Sequence, residues 1–236
     1  MNTQRGFTLI EVSIVMLIIA FTLGSIMIPL GTSLEQKAIN ETKQQIADIK
    51  AAIINFAVAN GRLPCPDTTT GINRDGQENN PGGICTSELG SVPHVKLNIP
   101  HRQDAWGQPF IYRVTASFAD TPAMGPGTPC DPTPNPAVSI SMCSAADGNI
   151  TVNEYNLSTG ADDPAATQIA AIVLSKGKYF RNASNSAKEA ENANNNTVYF
   201  KNGYNDRKSS MPFDDIVVWI SPNEIIGHLI QAQILP

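Results

Sequence analysis

Charged residues are scarce in this chain of 236 residues: only 16% are Asp, Glu, Lys or Arg, and none lies between Val12 and Leu30. The formal net charge is −5, so a general nucleic-acid binder is a poor candidate. Hydrophobic residues make up 42%, and disorder of the whole chain is therefore not expected. Only one stretch is long and apolar enough to cross a bilayer, which excludes a polytopic membrane protein.

Catalytic motifs are also missing. The chain has three histidines, and it contains no G-x-S-x-G, P-loop or G-x-G-x-x-G sequence. His94 and His101 precede Asp104 closely enough for a His–Asp dyad, but no nucleophile motif accompanies them. We therefore expect that the chain is not an enzyme.

The N-terminal segment predicts one long helix. The charge-free run over residues 12–30 has the length of a membrane-spanning helix. An amphipathic pattern follows without a break, and Gly61 then provides a C-terminal cap, so the helix should have roughly 50 residues. The pattern consists of Leu34, Ala38, Ile39, Thr42, Ile46, Ile49, Ile53 and Phe56.

This segment raises two questions: whether it is a secretory signal peptide, and how its carboxylate is accommodated. A secretory signal peptide would need a small-x-small cleavage site after the apolar run, and none is present. Glu11 is a carboxylate near the start of the run, which is costly there unless it finds a cation or reaches back to headgroup water.

The first residues carry a resemblance. Arg5–Glu11, with the sequence RGFTLIE followed by the apolar run, resembles the type III signal of type IV pilins and type II secretion pseudopilins. The resemblance implies that a prepilin peptidase cuts after Gly6 and N-methylates Phe7. It also implies that Glu11 pairs with the terminal amine of a neighbouring subunit during filament assembly.

Two motifs further along extend the resemblance. Asp104–Tyr112 (DAWGQPFIY) is similar to a segment of the major pseudopilin group, and Gly61–Pro64 is similar to the helix exit of that group. In several pseudopilins a C-terminal loop binds calcium, which implies a possible calcium site at Asp214 and Asp215, with Asp206 near enough in sequence to contribute. No other cofactor is expected.

Arg5 favours a cytoplasmic N-terminus and an exported C-terminal body. The four cysteines, Cys65, Cys85, Cys130 and Cys143, then indicate two disulfides rather than a zinc site, since no C-x₂-C pair or nearby histidine occurs. Three connectivities are possible. Proximity in sequence favours Cys65–Cys85 with Cys130–Cys143.

The sequence of the exported body predicts an α+β, pilin-like fold, in which the long helix packs on a small antiparallel sheet. A short C-terminal helix is expected to follow Ser221. The proline-rich segment 119–136 and the polar segment 182–196 are expected to be loops. The strand candidates are Phe110–Thr115, Val138–Met142, Ile169–Leu174, Thr197–Phe200 and Asp215–Ile220.

These patterns divide the chain into a leader (1–6), a transmembrane and assembly helix (7–30), an amphipathic helix (31–60) and an exported globular domain (61–236). We expect a structural subunit of a type II secretion pseudopilus or a type IV pilus. It would lie in the bacterial inner membrane as a single span and later in a periplasmic or surface filament. Its expected partners are the prepilin peptidase, other pilin or pseudopilin subunits, the inner-membrane assembly platform and, before assembly, membrane lipid. A minor pilin that acts as a tip adhesin, and a membrane-anchored periplasmic enzyme, are the alternatives.

Overall fold

The computed structural model describes residues 6–70, 74–120, 140, 148–156, 158–179, 187–201 and 213–233, without the side chains of residues 23–30 and 32. The chain forms two compact units, Met1–Glu41 and Thr42–Pro236, which are considered separately below.

One helix, α1 (Leu9–Asn60), has 52 residues, close to the length that the sequence pattern predicts. In the second unit its apolar stripe is buried: Ile46, Ile49 and Ile53 are fully covered. The helix ends where Gly61 takes a φ of 68° and donates its amide hydrogen to the carbonyl of Ala57 at 2.8 Å. Glycine suits this position because a side chain would strain the left-handed backbone.

Among the residues described above, no helix combines the length and the apolar character that crossing a membrane requires. The predicted span 12–30 includes residues 23–30, whose side chains lie outside that description.

A four-stranded antiparallel sheet forms the first β layer. Its strands are β1 (Leu89–Ser91), β2 (Ile111–Val114), β5 (Ala171–Ser175) and β7 (Ile216–Ile220), in the order β1-β2-β5-β7. A short helix, α2 (Ala116–Ala119), follows β2. The strands β2, β5 and β7 confirm three of the predicted strands to within two residues at each end. β5 is buried along its whole length, as expected for an inner strand.

A second sheet corrects the prediction of a single small antiparallel sheet. It has the order β4-β3-β6, with β3 (Ile150–Asn156), β4 (Ala161–Ile169) and β6 (Val198–Phe200). β3 pairs antiparallel with β4 and parallel with β6. One cluster of buried side chains joins both sheets: Ile150, Val152, Ile169, Ile172, Leu174, Tyr199 and Val217.

The polar segment 182–196 contains a helix, α3 (Ala187–Ala193), and is therefore not simply a loop. Glu189 and Asn192 lie three residues apart on one face of α3, and both are buried. Composition alone did not reveal this helix, because its buried face is polar.

The C-terminal helix, α4 (Pro222–Gln231), begins as predicted. The Ser221 hydroxyl accepts a hydrogen bond from the Glu224 amide at 3.2 Å. Ile225 and Leu229 are buried, whereas Ile230 is half exposed, so the apolar face is narrower than the sequence predicts.

The Cys65–Cys85 disulfide is present, and it closes a loop with a sequence separation of 20. The predicted Cys130–Cys143 bond lies outside the described residues, as do the strand Val138–Met142 except for Ile140 and nearly all of the proline-rich segment 119–136.

The turn before β2 is organised by one buried carboxylate. Asp104 Oδ1 accepts from the amides of Trp106 (3.0 Å) and Gln108 (2.8 Å), and its Oδ2 accepts from the Ser175 hydroxyl (2.6 Å) in β5. Burial raises the pKa of Asp104, and these bonds oppose that shift. The side chain therefore fixes the DAWGQP turn to the sheet.

We predict that Asp104→Ala lowers the free energy of unfolding by about 2–3 kcal/mol, because it leaves three donors without their acceptor. Urea unfolding of the full-length chain measures this loss. Glu154→Ala removes an exposed carboxylate and should change the value by less than about 0.5 kcal/mol. Equal unfolding midpoints for Asp104→Ala and the parent chain would refute this role.

Candidate functional site

The proposed processing point lies in an exposed segment. Gly6 has open space around its Cα, and Phe7 is 85% exposed. The backbone on both sides of the Gly6–Phe7 peptide bond is therefore accessible within the first unit. Cleavage at this bond stays a prediction.

Glu11 belongs to a capping box that the sequence analysis missed. Thr8 is the N-cap of α1, and its hydroxyl accepts from the Glu11 amide, while Glu11 Oε2 accepts from the Thr8 amide. Both distances are 3.4 Å, at the long end for hydrogen bonds. The T-x-x-E spacing before an apolar run is the signal that would have identified it. In the isolated chain these contacts hold the carboxylate only weakly.

The start of α1 exposes apolar side chains around its whole circumference. Residues at every helical angle are between 45% and 89% exposed. A helix that is apolar on all sides needs cover from lipid or from other protein. These residues are Phe7, Leu9, Ile10, Val12, Ile14, Val15, Met16, Leu17, Ile18, Ile19 and Phe21.

A second candidate site lies in the other unit, where three buried carboxylates meet. Glu189 comes from α3, and Asp214 and Asp215 come directly before β7. One ligand oxygen from each lies within 4.8 Å of the others. The structure thus brings the two predicted aspartates together with a glutamate from the polar segment. Asp206 lies outside the described residues.

Hydrogen bonds hold this acidic cluster in place, but one carboxylate oxygen receives none from the described residues. Glu189 Oε1 accepts from the Asp214 amide (3.0 Å), and Asp214 Oδ2 accepts from the Tyr179 amide (2.8 Å). Asn192 donates to Asp215 Oδ2 at 2.9 Å. Asp214 Oδ1 is buried and has no hydrogen-bond partner among the residues that the structure describes. An orphaned buried carboxylate oxygen is costly, and a bound cation would satisfy it.

The electrostatics of the cluster also favour a cation. Burial raises the pKa of Asp215 to about 8, and the charges of Glu189 and Asp214 add to the effect. Asn192 and Lys176 oppose this shift. The donors are all oxygen atoms, which suits a hard divalent ion such as calcium rather than zinc. The residues present therefore fit a calcium ion, with further oxygen ligands needed to reach six to eight.

A close backbone approach connects this cluster to the Asp104 turn. Gly177 has a φ of 63°, and a Cβ there would lie 2.4 Å from the Asp214 carbonyl oxygen. The Gly177 amide donates to Ser175 Oγ, which itself donates to Asp104. The Asp104 turn and the acidic cluster are therefore neighbours in one packed region.

Neither His94 nor His101 forms with Asp104 the His–Asp dyad that their spacing in the sequence allows. His101 Nε2 lies 3.1 Å from Asp48 Oδ2 on α1, and the hydrogen bonds of Asp104 go to the groups described above. His94 lies elsewhere, at the edge of a small cavity.

Comparison with known proteins gives one result for the chain. A family model described as the prokaryotic N-terminal methylation motif matches residues 1–27. No curated protein and no solved structure matches the chain. The matched segment contains Gly6, Phe7 and Glu11, the residues on which the sequence resemblance rests. The first 27 residues therefore carry the N-terminal methylation motif, which is the signal of type IV pilins and pseudopilins.

Proposed function

We propose that the chain is a structural subunit of a type II secretion pseudopilus or a type IV pilus, assembled through its N-terminal helix. The observation that carries the proposal is the methylation motif at residues 1–27. In this proposal a prepilin peptidase hydrolyses the Gly6–Phe7 peptide bond and releases the leader with Arg5. The new amine of Phe7 then accepts a methyl group from a sulfonium methyl donor, which leaves as a thioether, and the amine loses one proton.

The exposed apolar residues of α1 support this proposal. Burial of such surface is favourable by about 25 cal/mol per Å². Membrane lipid of the bacterial inner membrane would cover them before assembly, and the helices of other subunits would cover them in the filament. The assembly platform would transfer the subunit from one environment to the other.

Glu11 would fix the register of neighbouring subunits. Cleavage creates a cation on Phe7, and Glu11 lies four residues later, in the first turn of α1. In an apolar bundle a carboxylate is stable only beside a cation, so pairing with the amine of another subunit selects one axial position. The local contact with Thr8 is weak enough to be replaced.

We predict that Glu11→Ala leaves the chain cleaved but reduces its incorporation into filaments at least tenfold, because no carboxylate remains for the neighbouring amine. Immunoblotting of sheared or cross-linked filaments against total membrane protein measures the ratio.

The matched control is Thr8→Ala, which removes the capping contacts of the hydroxyl but keeps the backbone amide of residue 8 and the Glu11 carboxylate, and it should assemble normally. If the two variants were equally defective, Glu11 would act only as a helix cap. Normal assembly of Glu11→Ala would contradict the register mechanism directly.

We also propose that Glu189, Asp214 and Asp215 hold a calcium ion that stabilises the second unit. The orphaned Asp214 Oδ1 and the three converging buried carboxylates support this. The ion would act on stability, and through it on the surface that the subunit presents in a filament.

Calcium should raise the melting temperature of the chelator-treated full-length chain. At a free concentration of about 100 times Kd the gain is about 2.7 kcal/mol, or roughly 5–10 °C for a domain of this size. Differential scanning fluorimetry with calcium, magnesium or chelator measures it. Asp214→Asn and Glu189→Gln should abolish the shift, whereas Glu154→Gln, at an exposed position, should keep it. A melting temperature that calcium does not change, or a shift that survives Asp214→Asn, would rule the site out.

A further inference from the structure

The second unit contains a small cavity whose lining residues, between Asp67 and Pro109, are distant in sequence from Glu189, Asp214 and Asp215. This cavity takes no part in the proposals above. Its volume is about 100 Å³. The backbone of Asp67 and Ser91 forms one wall through two hydrogen bonds of 2.9 and 2.8 Å. Gln103 and Pro109, which form a second isolated bridge, also line the cavity.

The lining of this cavity is basic, although the chain as a whole is acidic. Arg74, Arg102 and His94 contribute to it. Across the described residues, neither arginine has a carboxylate within ion-pair distance. Within the described part of the chain, Arg74 Nε is buried and has no hydrogen-bond partner. A buried guanidinium nitrogen without an acceptor indicates that an acceptor group belongs in the cavity.

Asp67, the acidic residue of the lining, does not neutralise these arginines. Its Oδ1 accepts from the amide and the hydroxyl of Thr69, and its Oδ2 accepts from the Gly76 amide at 3.0 Å. The carboxylate is therefore directed to its own loop. It leaves the guanidinium groups available to a ligand, and it keeps the total charge of the cavity low.

The volume and the charge of the cavity indicate which class of ligand it can bind. The cavity exceeds the roughly 10–15 Å³ that one water needs, and it is far below the ~300–1,000 Å³ of sites for drug-sized molecules. Guanidinium groups match planar carboxylates through paired N–H donors. A phosphate dianion would be repelled more strongly than a monoanion by the Asp67 carboxylate.

We propose that the cavity lined by Asp67, Arg74, Ser91 and Arg102 is a binding site for a carboxylate group, held by the guanidinium groups of Arg74 and Arg102. The carboxylate can come from a small free acid or from an acidic side chain of another polypeptide. The site does not depend on filament assembly or on calcium.

The loop that carries Arg74 is held close to His94. Gly76 has a φ of 70°, and a Cβ there would lie 2.4 Å from His94 Cε1. The Gly76 carbonyl accepts from the amides of Val95 and Lys96 at 3.0 and 3.1 Å. These contacts fix one wall of the cavity against the other before a ligand arrives, which reduces the entropic cost of binding.

Acetate tests the proposal on the full-length chain in non-ionic detergent, with acetamide as the uncharged analogue of the same shape. An NMR titration that follows the arginine Nε–H signals gives the affinity. We expect acetate to shift the Arg74 and Arg102 signals and to bind at least tenfold more tightly than acetamide. Arg74→Gln and Arg102→Gln should each weaken acetate binding about tenfold.

Lys43→Gln is the control, because it removes the same charge from an exposed position of α1. It should leave acetate affinity unchanged. Arg102 is exposed, so Arg102→Gln keeps the test decisive if Arg74→Gln fails to fold. Equal binding of acetate and acetamide, acetate binding unaffected by Arg102→Gln, or no signal change up to 100 mM acetate would overturn the proposal.

A capped peptide, acetyl-Ala-Glu-Ala-amide, separates the two sources of the carboxylate. Tighter binding of the peptide than of acetate would support the site and identify a polypeptide side chain as its ligand. Binding of acetate with exclusion of the peptide would support the site and identify a free acid.

Discussion

The first residues of α1 cannot bury their apolar side chains within their own unit, and this constraint determines what the chain must do. Phe7 and Leu9 are almost fully exposed, and the residues that follow expose apolar surface at every helical angle. In water this surface would associate without specificity. The methylation motif covers the same residues, and in the proposed function lipid covers this surface first and the helices of other subunits cover it afterwards.

In the second unit the difficulty is the reverse, because charged carboxylate groups lie inside a packed domain. Hydrogen-bond donors satisfy two of the carboxylate sites in the described residues, and a third site is left short of donors. Asp104 receives three donors from its own turn and β5. The buried Glu78 carboxylate accepts two hydrogen bonds from Arg62 at 2.8 Å beside the Cys65–Cys85 bond. In the Glu189, Asp214 and Asp215 cluster, Asp214 Oδ1 has no donor among the described residues. This deficit distinguishes a candidate cation site from a structural ion pair.

The sequence was sufficient for elements whose signals are local. Helix α1 follows from its unbroken apolar pattern and Gly61, and α4 follows from Ser221, Pro222 and Glu224. Proximity in sequence pointed to the Cys65–Cys85 bond. The capping box at Thr8 and Glu11 also has a local signal, the T-x-x-E spacing before an apolar run, although it was not predicted.

Other features depend on contacts between distant residues. β4 contains Pro164 and two aspartates, and it exists as a strand because β3 pairs with it. Glu189 lies in a polar segment, and only the fold brings it to Asp214 and Asp215. The basic cavity likewise combines Arg74 with Arg102 from separate loops.

The central claim is that the chain is processed as a prepilin, and intact-mass spectrometry with N-terminal sequencing of the protein from native membranes tests it most directly. The account predicts a mature chain that begins at Phe7 and carries one additional methyl group on its amine. A chain that begins at Met1, or one cut after about residue 30, would contradict the account.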